Sequence, residues 1–269
     1  MIRDCDRPIG VFDSGIGGLT VAQEITRLLP NEQIVYFGDT ARVPYGTKSR
    51  ESVVRFSREN MNVLLKHGVK LVVIACNTST SWALGAIRKE FAVPVIGVIE
   101  PGARSALKAS RKRSIGVIAT ASTVASGKYA ATIERLSPGA HVVSRACPLF
   151  VPLVEEGWLE GKVTESVARE YLAPLREAEV DTLILGCTHY PLLKTVLQKV
   201  MGPGVVLVDS AAETAKEVKL LLEKEGLARS VRRPAHHEFL VSDEPEHFRA
   251  LAKRFLGHDL PHVRRVNHV

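Results

Sequence analysis

Short apolar runs recur along the chain and alternate with longer segments whose apolar residues repeat at helical spacing. Such alternation is typical of βα units, in which helices connect parallel strands and cover the sheet. We therefore predict an α/β protein with mostly parallel sheets flanked by helices. The runs predicted as strands are residues 9–12, 33–38, 71–75, 93–98, 114–119, 141–144, 182–186 and 205–208.

Two of the helices between these runs have clear ends in the sequence. The first is predicted to begin after Ser49, a suitable N-cap, and to end before Gly68, because glycine is favoured just past helix C-termini. Apolar residues at helical spacing lie between these two positions. The second helix is predicted over residues 211–225 and closes near Gly226.

Two of the predicted strands end in the same way. The stretches "LVVIACNTSTS" and "DTLILGCTHYP" each place a cysteine between an apolar run and a predicted helix. Cys76 and Cys187 are 111 positions apart (187 minus 76), and each lies about third in a run of βα units. This repetition indicates an internal duplication and two pseudo-symmetric lobes with the active site in the cleft between them. The predicted boundaries are 1–97 plus 210–269 for a discontinuous first lobe and 98–209 for the second.

Composition and charge narrow the class of protein. The 269 residues, 45% hydrophobic and 24% charged, suit a globular chain long enough for two compact lobes. The N-terminus is acidic where a signal peptide is basic, and no apolar run approaches a membrane span, so we expect a cytoplasmic protein without membrane contact. The formal charge of +7 resides partly in interrupted basic clusters without aromatic residues, and we expect no nucleic-acid partner.

The four cysteines are far apart in the sequence, which is unlike the dense framework of a secreted disulfide scaffold. We therefore expect free thiols in a reducing compartment. For Cys5 and Cys147 the simplest interpretation is a small buried hydrophobic side chain.

Ligands of open α/β sheets bind beyond the carboxyl ends of the strands, so the residues that follow each strand are the candidates for chemistry. In "VFDSGIGGLT", Asp13 and Ser14 precede a glycine loop that leads into a helix. The loop fits neither the G-x-G-x-x-G fingerprint, because Thr20 replaces the third glycine, nor a P-loop or a G-x-S-x-G elbow. It is suited to holding a carboxylate on backbone N–H groups, although a tight turn capped by Asp13 is an equally good interpretation.

A second candidate follows the next strand, in "GDTARVPYGTKS". Pro44 at the second position and Gly46 at the fourth position predict a type I turn that presents the N–H groups of Tyr45 and Gly46. An ordinary surface turn remains the alternative interpretation.

The two cysteines are the third and fourth candidates. Cys76 precedes Asn77 and Thr78, either of which is a suitable helix N-cap. A thiol at a helix N-terminus is expected to have its pKa lowered from about 8.5 toward neutrality, which makes it a usable base or nucleophile.

Cys187 has a similar setting. It precedes Thr188 and His189, and Pro191 follows at a position expected to be the first of a helix. An unperturbed histidine titrates near pH 6.5, so His189 is suited to exchanging a proton with this thiol near neutral pH.

A pair of such thiols is compatible with three chemistries. A metal site made of Cys76, Cys187 and His189 lacks the usual compact ligand spacing, and redox disulfides usually pair cysteines that are close in sequence. The third chemistry is proton transfer, in which one thiolate removes a proton from carbon and the opposite thiol delivers one to the other face. Inversion at a stereocentre requires such a two-sided arrangement.

Five motifs identify a family that the chain resembles: "FDSGIGGLTV", "YFGDTARVPYG", "ACNTST", "PLFVPLVEEG" and "LGCTHYPLL" closely resemble those of glutamate racemases, in the same order and over nearly the whole chain. The resemblance implies two α/β lobes, no pyridoxal phosphate or metal cofactor, and interconversion of L- and D-glutamate for bacterial peptidoglycan. It also implies that a homodimer is possible.

The resemblance also implies roles for individual residues. Cys76 and Cys187 would be the acid/base pair, assisted by Asp13 and His189 respectively, and Asp39 and Glu155 would have supporting roles. Residues that would hold the substrate, in addition to Asp13 and His189, are Ser14, Tyr45, Gly46, Asn77, Thr78, Thr120, Thr123 and Thr188.

Three other functions remain open at this stage. The same pair of thiols would serve a racemase of a related acidic amino acid such as aspartate, because strand-end motifs do not measure the length of a pocket. A thiol-dependent hydrolase would use Cys187 and His189 alone. A two-lobed amino-acid-binding module would bind glutamate without exchange at Cα, but it gives no reason for paired thiols.

Overall fold

The structure is a computed structural model that describes residues 4–230, 235–260 and 262–267. Its strands are β1 (Ile9–Asp13), β2 (Ile34–Gly38), β3 (Leu71–Ile74), β4 (Val95–Gly97), β5 (Ser114–Ala119), β6 (His141–Ala146), β7 (Thr182–Gly186), β8 (Val206–Val208), β9 (Glu238–Val241) and β10 (Val263–Arg265). Its α-helices are α1 (Leu19–Leu28), α2 (Arg50–Lys66), α3 (Asn77–Glu90), α4 (Ile99–Ala109), α5 (Ala121–Ala125), α6 (Lys128–Leu136), α7 (Phe150–Glu155), α8 (Lys162–Glu177), α9 (Lys194–Met201), α10 (Ala211–Lys224) and α11 (Pro245–Leu256).

The contacts between these elements divide the chain into two compact units. The first comprises Met1–Val98 and Ala211–Val269, and the second comprises Ile99–Ser210. The first unit contains a six-stranded sheet in the order β10-β9-β2-β1-β3-β4, and the second contains a four-stranded sheet in the order β6-β5-β7-β8. Every neighbouring pair in both sheets is parallel, which confirms the predicted fold class.

The two sheets share one topological plan. If the first four strands of each unit are numbered 1 to 4 along the chain, they lie side by side in the order 2-1-3-4. This order is β2-β1-β3-β4 in the first unit and β6-β5-β7-β8 in the second. Cys76 follows β3 and Cys187 follows β7, so each cysteine leaves the third strand of this plan. The topology thus supports the duplication that the sequence indicates.

The inner strands are mostly apolar because helices cover both faces of a parallel sheet, and polar residues such as Asp13 of β1 and Thr182 of β7 are at strand ends. All residues of β1, β2, β3 and β7 are buried. The helix predicted after Ser49 is α2, whose N-cap is Ser49, with Oγ accepting the N–H of Ser52 at 3.3 Å. It ends two residues before Gly68, which has the positive φ expected past a helix C-terminus.

The C-terminal segment adds two strands that the sequence analysis did not predict. β9 pairs with β2, with Tyr36 opposite Phe239, and β10 pairs with β9 at the edge of the sheet. Within the described ranges no helix is long and apolar enough to cross a membrane.

A buried ion pair fastens this segment to the rest of the first unit. The Nζ atom of Lys70 lies 2.6 Å from a carboxylate oxygen of Glu32, and both side chains are almost completely buried. The same ammonium group donates to the carbonyl oxygens of Cys5 and Leu227 at 2.8 Å each, and the backbone N–H of Arg229 donates to the second Glu32 oxygen at 2.8 Å. One desolvated pair therefore joins the start of the chain, β3 and the segment after α10.

Candidate active site

Cys76 lies at the junction between β3 and α3. It is itself the N-cap of α3, with extended φ and ψ, and its sulfur accepts the N–H of Ser79 at 3.5 Å. The prediction that Asn77 or Thr78 caps this helix was wrong, because the helix begins at Asn77 and these two residues form its first turn. Both are buried beside the thiol.

The surroundings of Cys76 keep it protonated. Burial and the nearby carboxylate of Asp13 raise the pKa of the thiol to about 11, although the N–H of Ser79 and the hydroxyl of Ser14, whose oxygen lies 3.6 Å from the sulfur, act in the opposite direction. The predicted lowering of the pKa was therefore wrong for Cys76, since desolvation and a like charge outweigh the helix N-terminus. Cys76 is a thiol at neutral pH.

The glycine loop after β1 places Asp13 and Ser14 beside Cys76. A carboxylate oxygen of Asp13 accepts the N–H of Gly15 at 3.1 Å, so Asp13 caps the turn, whereas the N-cap of α1 is Gly18. A Cβ atom at Gly18 would lie 2.6 Å from the Cβ of Asp13 and 2.9 Å from that of Ala75. Only glycine fits at this position while the loop keeps its path.

The turn after β2 differs from the prediction. Pro44 has φ −88° and ψ 144°, which are extended values and exclude the second position of a type I turn. The turn begins one residue later, as a short 3₁₀ helix over Tyr45–Thr47 with the N–H of Lys48 donating to the carbonyl of Tyr45 at 3.0 Å. Tyr45 and Gly46 are both buried.

Asp39 is the centre of a buried polar network beside this turn. One carboxylate oxygen accepts from the Tyr45 hydroxyl and, at 2.6 Å, from Nε of Arg42. The other accepts the hydroxyl of Ser242 at 3.0 Å, and Nδ2 of Asn60 donates to the Tyr45 oxygen at 3.1 Å. Asp39 therefore fixes the turn that carries Tyr45 and Gly46.

Ser242 was not predicted from the sequence. It directly follows β9, and its oxygen also accepts the N–H of Ala41 at 2.8 Å. The C-terminal segment thus contributes a side chain to the residues that follow β2. The one sequence signal is a serine after the short apolar run "FLV", which is common in proteins and carries little information.

Cys187 lies just beyond β7 and is buried. The N–H of Tyr190 donates to its carbonyl at 3.1 Å, and a 3₁₀ helix over Tyr190–Leu193 follows before α9 begins. Pro191 is the second residue of that 3₁₀ helix, so the expectation of an α-helix starting at Pro191 was wrong. The reason is a tight turn after the cysteine, which delays the α-helix to Lys194.

His189 connects Cys187 to Glu155. Its Nδ1 atom lies 4.0 Å from the sulfur of Cys187, and its Nε2 atom lies 3.0 Å from a carboxylate oxygen of Glu155. Burial by itself would lower the pKa of His189, but the hydrogen bonds to Cys187 and Glu155 and the charge of both groups raise it to about 10. His189 is therefore an imidazolium at neutral pH, held between the sulfur of Cys187 and the carboxylate of Glu155, and the expectation that it titrates near pH 6.5 was wrong.

Aromatic packing holds this arrangement in place. Glu155 is the last residue of α7, and Phe150 at the start of that helix packs edge-to-face on Tyr190 with ring centroids 5.2 Å apart. The Tyr190 hydroxyl donates to the carbonyl of Cys147 at 2.8 Å. Glu155 and His189 thus approach each other from two elements that are packed together.

Three of the predicted threonines, Thr120, Thr123 and Thr188, lie just after strands of the second unit. Thr120 follows β5 as the N-cap of α5, and its hydroxyl oxygen accepts the N–H of Thr123 at 3.3 Å and lies 3.0 Å from the Thr123 hydroxyl. Thr188 is buried next to Cys187. Because β5 and β7 are neighbours, the residues that follow them begin at the same edge of the sheet.

The predicted residues fall into two clusters, one in each unit. The Cys76 cluster consists of residues that follow β1, β2 and β3, namely Asp13, Ser14, Asp39, Tyr45, Gly46, Cys76, Asn77 and Thr78. The Cys187 cluster consists of Thr120, Thr123, Glu155, Cys187, Thr188 and His189. Each combines one thiol with a carboxylate and several N–H or hydroxyl donors. In the part of the chain that the structure describes, no three His, Cys, Asp or Glu side chains are grouped as metal ligands.

Comparisons with known proteins identify the family of the chain. A family model described as Asp/Glu/hydantoin racemase matches residues 9–218. A glutamate racemase of Geobacter metallireducens is 52% identical over 261 residues, which are 97% of this chain and 97% of that protein.

Solved structures give the same result. A glutamate racemase isoform from Bacillus anthracis superposes with a TM-score of 0.93 at 40% identity over 97% of both chains. The glutamate racemase of Francisella tularensis, solved in complex with D-glutamate, has a TM-score of 0.92 at 39% identity over 98% of both chains. The chain belongs to the Asp/Glu/hydantoin racemase family and is an isomerase of the amino-acid racemase class.

Proposed function

We propose that this protein is a cofactor-independent glutamate racemase in which Cys76 and Cys187 are the two bases. The observation that carries the proposal is the occurrence of one buried thiol after the third strand of each of two equally ordered sheets. Cys76 has the carboxylate of Asp13 nearby, and Cys187 has His189, which in turn contacts the carboxylate of Glu155. The similarity to glutamate racemases over almost the full chain, one of them solved with D-glutamate, supports the choice of substrate.

The proposed reaction is a proton exchange at Cα. One cysteine removes the Cα proton, and the electron pair of the broken C–H bond moves into the carboxylate, which takes on enolate character. The other cysteine donates its S–H proton to the opposite face of Cα, which gives the other enantiomer. The first sulfur then carries the proton and the second is a thiolate, so the reverse reaction or exchange with water restores the starting state.

The surroundings of the two thiols favour different starting roles. Cys76 is a thiol at neutral pH, which suits the acid of the resting enzyme. Cys187 is proposed as the base because the reaction needs one sulfur of each kind and Cys76 suits the acid, and its sulfur lies 4.0 Å from Nδ1 of His189. Glu155 keeps the imidazolium charged and oriented.

The remaining residues of both clusters are proposed to hold the substrate. The N–H groups of the turn that carries Tyr45 and Gly46 and the first turn of α3, with Asn77 and Thr78, suit a carboxylate that gains charge during the reaction. The hydroxyls of Ser14, Thr120, Thr123 and Thr188 are further donors. Asp13 is proposed to assist proton transfer at Cys76, as His189 does at Cys187. Asp39 is proposed to support the turn.

The resemblance also gives the proposed biological role, which is the supply of D-glutamate for peptidoglycan. A cytoplasmic location and a homodimer stay predictions from the sequence. Size-exclusion chromatography with light scattering tests the homodimer independently of activity.

The proposal is tested by following the circular dichroism of L-glutamate, D-glutamate and both aspartate enantiomers with the purified protein. Glutamate is expected to racemise, and alanine at Cys76 or at Cys187 is expected to abolish the reaction. Cys5→Ala is the matched control, since its side chain belongs to neither cluster, and it should retain activity. Racemisation of aspartate in preference to glutamate would refute the substrate, and full activity of either cluster variant would refute the two-base mechanism.

A thiol-dependent hydrolase is the second candidate, because Cys187, His189 and Glu155 form the thiol, imidazole and carboxylate series of cysteine hydrolases. Such an enzyme would need only Cys187. It would form an acyl-enzyme at that residue, detectable by mass spectrometry, and the Cys76→Ala variant would remain active.

A further inference from the structure

Tyr36 is a buried tyrosine near the Cys76 cluster that the proposed mechanism does not use. It is the third residue of β2 and is fully buried. Its ring packs between Phe239 and Phe248, with centroid distances of 6.3 and 6.0 Å. This packing accounts for an aromatic ring at the position, but it does not account for a hydroxyl group, which is costly to bury unless it is hydrogen-bonded.

The hydroxyl of Tyr36 is directed at the glycine loop. It donates to the carbonyl oxygen of Gly15 at 2.8 Å, and the backbone of Gly18 lies near enough to the same oxygen to act against the rise in its pKa. The hydroxyl is therefore hydrogen-bonded to the first residue of the loop of residues 15–18 and lies close to the last. This loop begins directly after Asp13 and Ser14, the two side chains next to the Cys76 sulfur.

The loop has little room to adopt another path. A Cβ atom on Gly18 would meet the Tyr36 oxygen at 3.0 Å, Asp13 Cβ at 2.6 Å and Ala75 Cβ at 2.9 Å. Ala75 directly precedes Cys76, and its N–H donates to the carbonyl of Phe12 at 2.9 Å. The tyrosine hydroxyl, Asp13 and the backbone that carries Cys76 are thus packed around one glycine.

We propose that Tyr36 is a positioning residue for proton transfer at Cys76, whose hydroxyl holds residues 15–18 so that Asp13 and Ser14 stay aligned with the thiol. The inference rests on the proposed racemase function and goes beyond it, because it assigns a residue that touches neither the substrate nor the sulfur. Burial and the negative charge of Asp13 and of a Cys76 thiolate raise the pKa of Tyr36 well above its usual value. The hydroxyl therefore remains a donor to Gly15 throughout the catalytic cycle.

The test uses Tyr36→Phe, which keeps the ring and removes only the oxygen. We expect kcat/KM to fall by about 10- to 100-fold, since small misplacements of reacting groups have effects of this size. Enantiomers have equal free energies, so kcat/KM must fall equally in both directions, and the direction of racemisation alone gives no information about which cysteine is affected.

Primary deuterium isotope effects on kcat/KM, measured with Cα-deuterated L- and D-glutamate, give that information. If only the Cys76 step is slowed, the isotope effect rises for the enantiomer that Cys76 deprotonates and falls for the other. The same comparison is made in a Glu155→Gln background, in which the Cys187 step is slowed. This background is needed if the Cys76 step already limits the wild-type rate, because slowing that step further would then change neither isotope effect.

Phe239→Leu is the matched control, because it loosens the packing on the Tyr36 ring and leaves the hydroxyl in place. It is expected to lower the free energy of unfolding without changing either isotope effect. If Tyr36→Phe retains kcat/KM within about twofold, or loses activity with both isotope effects unchanged in both backgrounds, the inference is wrong. If the wild-type protein does not racemise glutamate, the proposed function fails instead, and the two failures are distinguishable.

Discussion

Replacing Glu155 with glutamine removes one charge from the series Glu155, His189 and Cys187 while keeping the shape of the side chain. The carboxylate lies 3.0 Å from Nε2 of His189, whose pKa is raised to about 10 although burial acts to lower it. Without this carboxylate, one of the two groups that raise the pKa of His189 against the effect of burial is lost, and Cys187 remains. The pKa of His189 is therefore expected to fall.

The size of the fall follows from the distance and the exposure of Glu155. Two unit charges about 4 Å apart interact by about 4 kcal/mol at the effective dielectric of a protein surface. The Glu155 side chain is 32% exposed, so solvent screening reduces this to about 1–2 kcal/mol. Because one pKa unit corresponds to about 1.4 kcal/mol, the pKa of His189 should fall by about one unit.

The sign of the stability effect follows from the same shift. The folded-state pKa of His189 lies above the unfolded value of about 6.5. Its interactions therefore stabilise the fold fully below that value, and this contribution is lost as pH rises through about 10. In Glu155→Gln the stabilisation should be smaller and its loss complete at a lower pH, so the free energy of unfolding should differ most from wild type below about pH 6.5.

The assay is an NMR titration of the His189 ring between pH 6 and 11, combined with kcat/KM for glutamate. A fall of about tenfold in kcat/KM is expected, the equivalent of about 1.4 kcal/mol in the transition state. Glu156→Gln is the control, since this neighbouring side chain is exposed and should change neither quantity. A wild-type His189 that titrates near 6.5, or a Glu155→Gln variant with an unchanged histidine pKa, would refute the reasoning.

Three further results are expected. Ser242→Ala removes a hydrogen bond to the buried Asp39 carboxylate and should lower the free energy of unfolding by about 1.5–3 kcal/mol in urea titrations, whereas an unchanged midpoint would contradict the network. Lys70→Met leaves Glu32 buried without its ammonium partner and should lower the free energy of unfolding by about 3–5 kcal/mol. The double variant Lys70→Met, Glu32→Gln should lose less stability, and equal losses would contradict the coupling between the two side chains. The rate of Cys76 alkylation by iodoacetamide is measured by peptide mass spectrometry. It should rise about tenfold per pH unit up to pH 10, because the pKa of the thiol is about 11, and a plateau below pH 9 would contradict that value.

Much of the fold could be predicted because the inner strands are covered on both faces. Such strands are continuous apolar runs, as in Leu71–Ile74 and Thr182–Gly186, and they are recognisable without knowledge of their partners. Glu238–Val241 and Val263–Arg265 are different: they are short, they carry charged residues, and they lie at one side of the sheet. The strand conformation of Glu238–Val241 depends on pairing with Ile34–Gly38, and that of Val263–Arg265 depends on pairing with Glu238–Val241. Local pattern does not reveal such pairings.

The candidate site was predictable in its chemistry and less so in its geometry. A thiol that follows a strand and precedes Asn77 and Thr78 indicates a site. Which residue caps the helix, however, depends on where the strand ends, and sequence patterns locate that end only to within one or two positions. The pKa of Cys76 depends on burial and on Asp13, which is 63 positions away (76 minus 13). Ser242 reaches Asp39 across 203 positions, and no local signal announces such a contact.

The most direct test of the two-base account is racemisation of L-glutamate in deuterium oxide, stopped early, with both enantiomers separated and analysed by mass spectrometry. If one cysteine removes the proton and another, already exchanged with solvent, supplies the new one, the D-glutamate formed carries deuterium at Cα while the remaining L-glutamate stays unlabelled. Early deuterium in both enantiomers at similar rates, or unlabelled D-glutamate, would show that a single base serves both faces and would contradict the paired roles of Cys76 and Cys187.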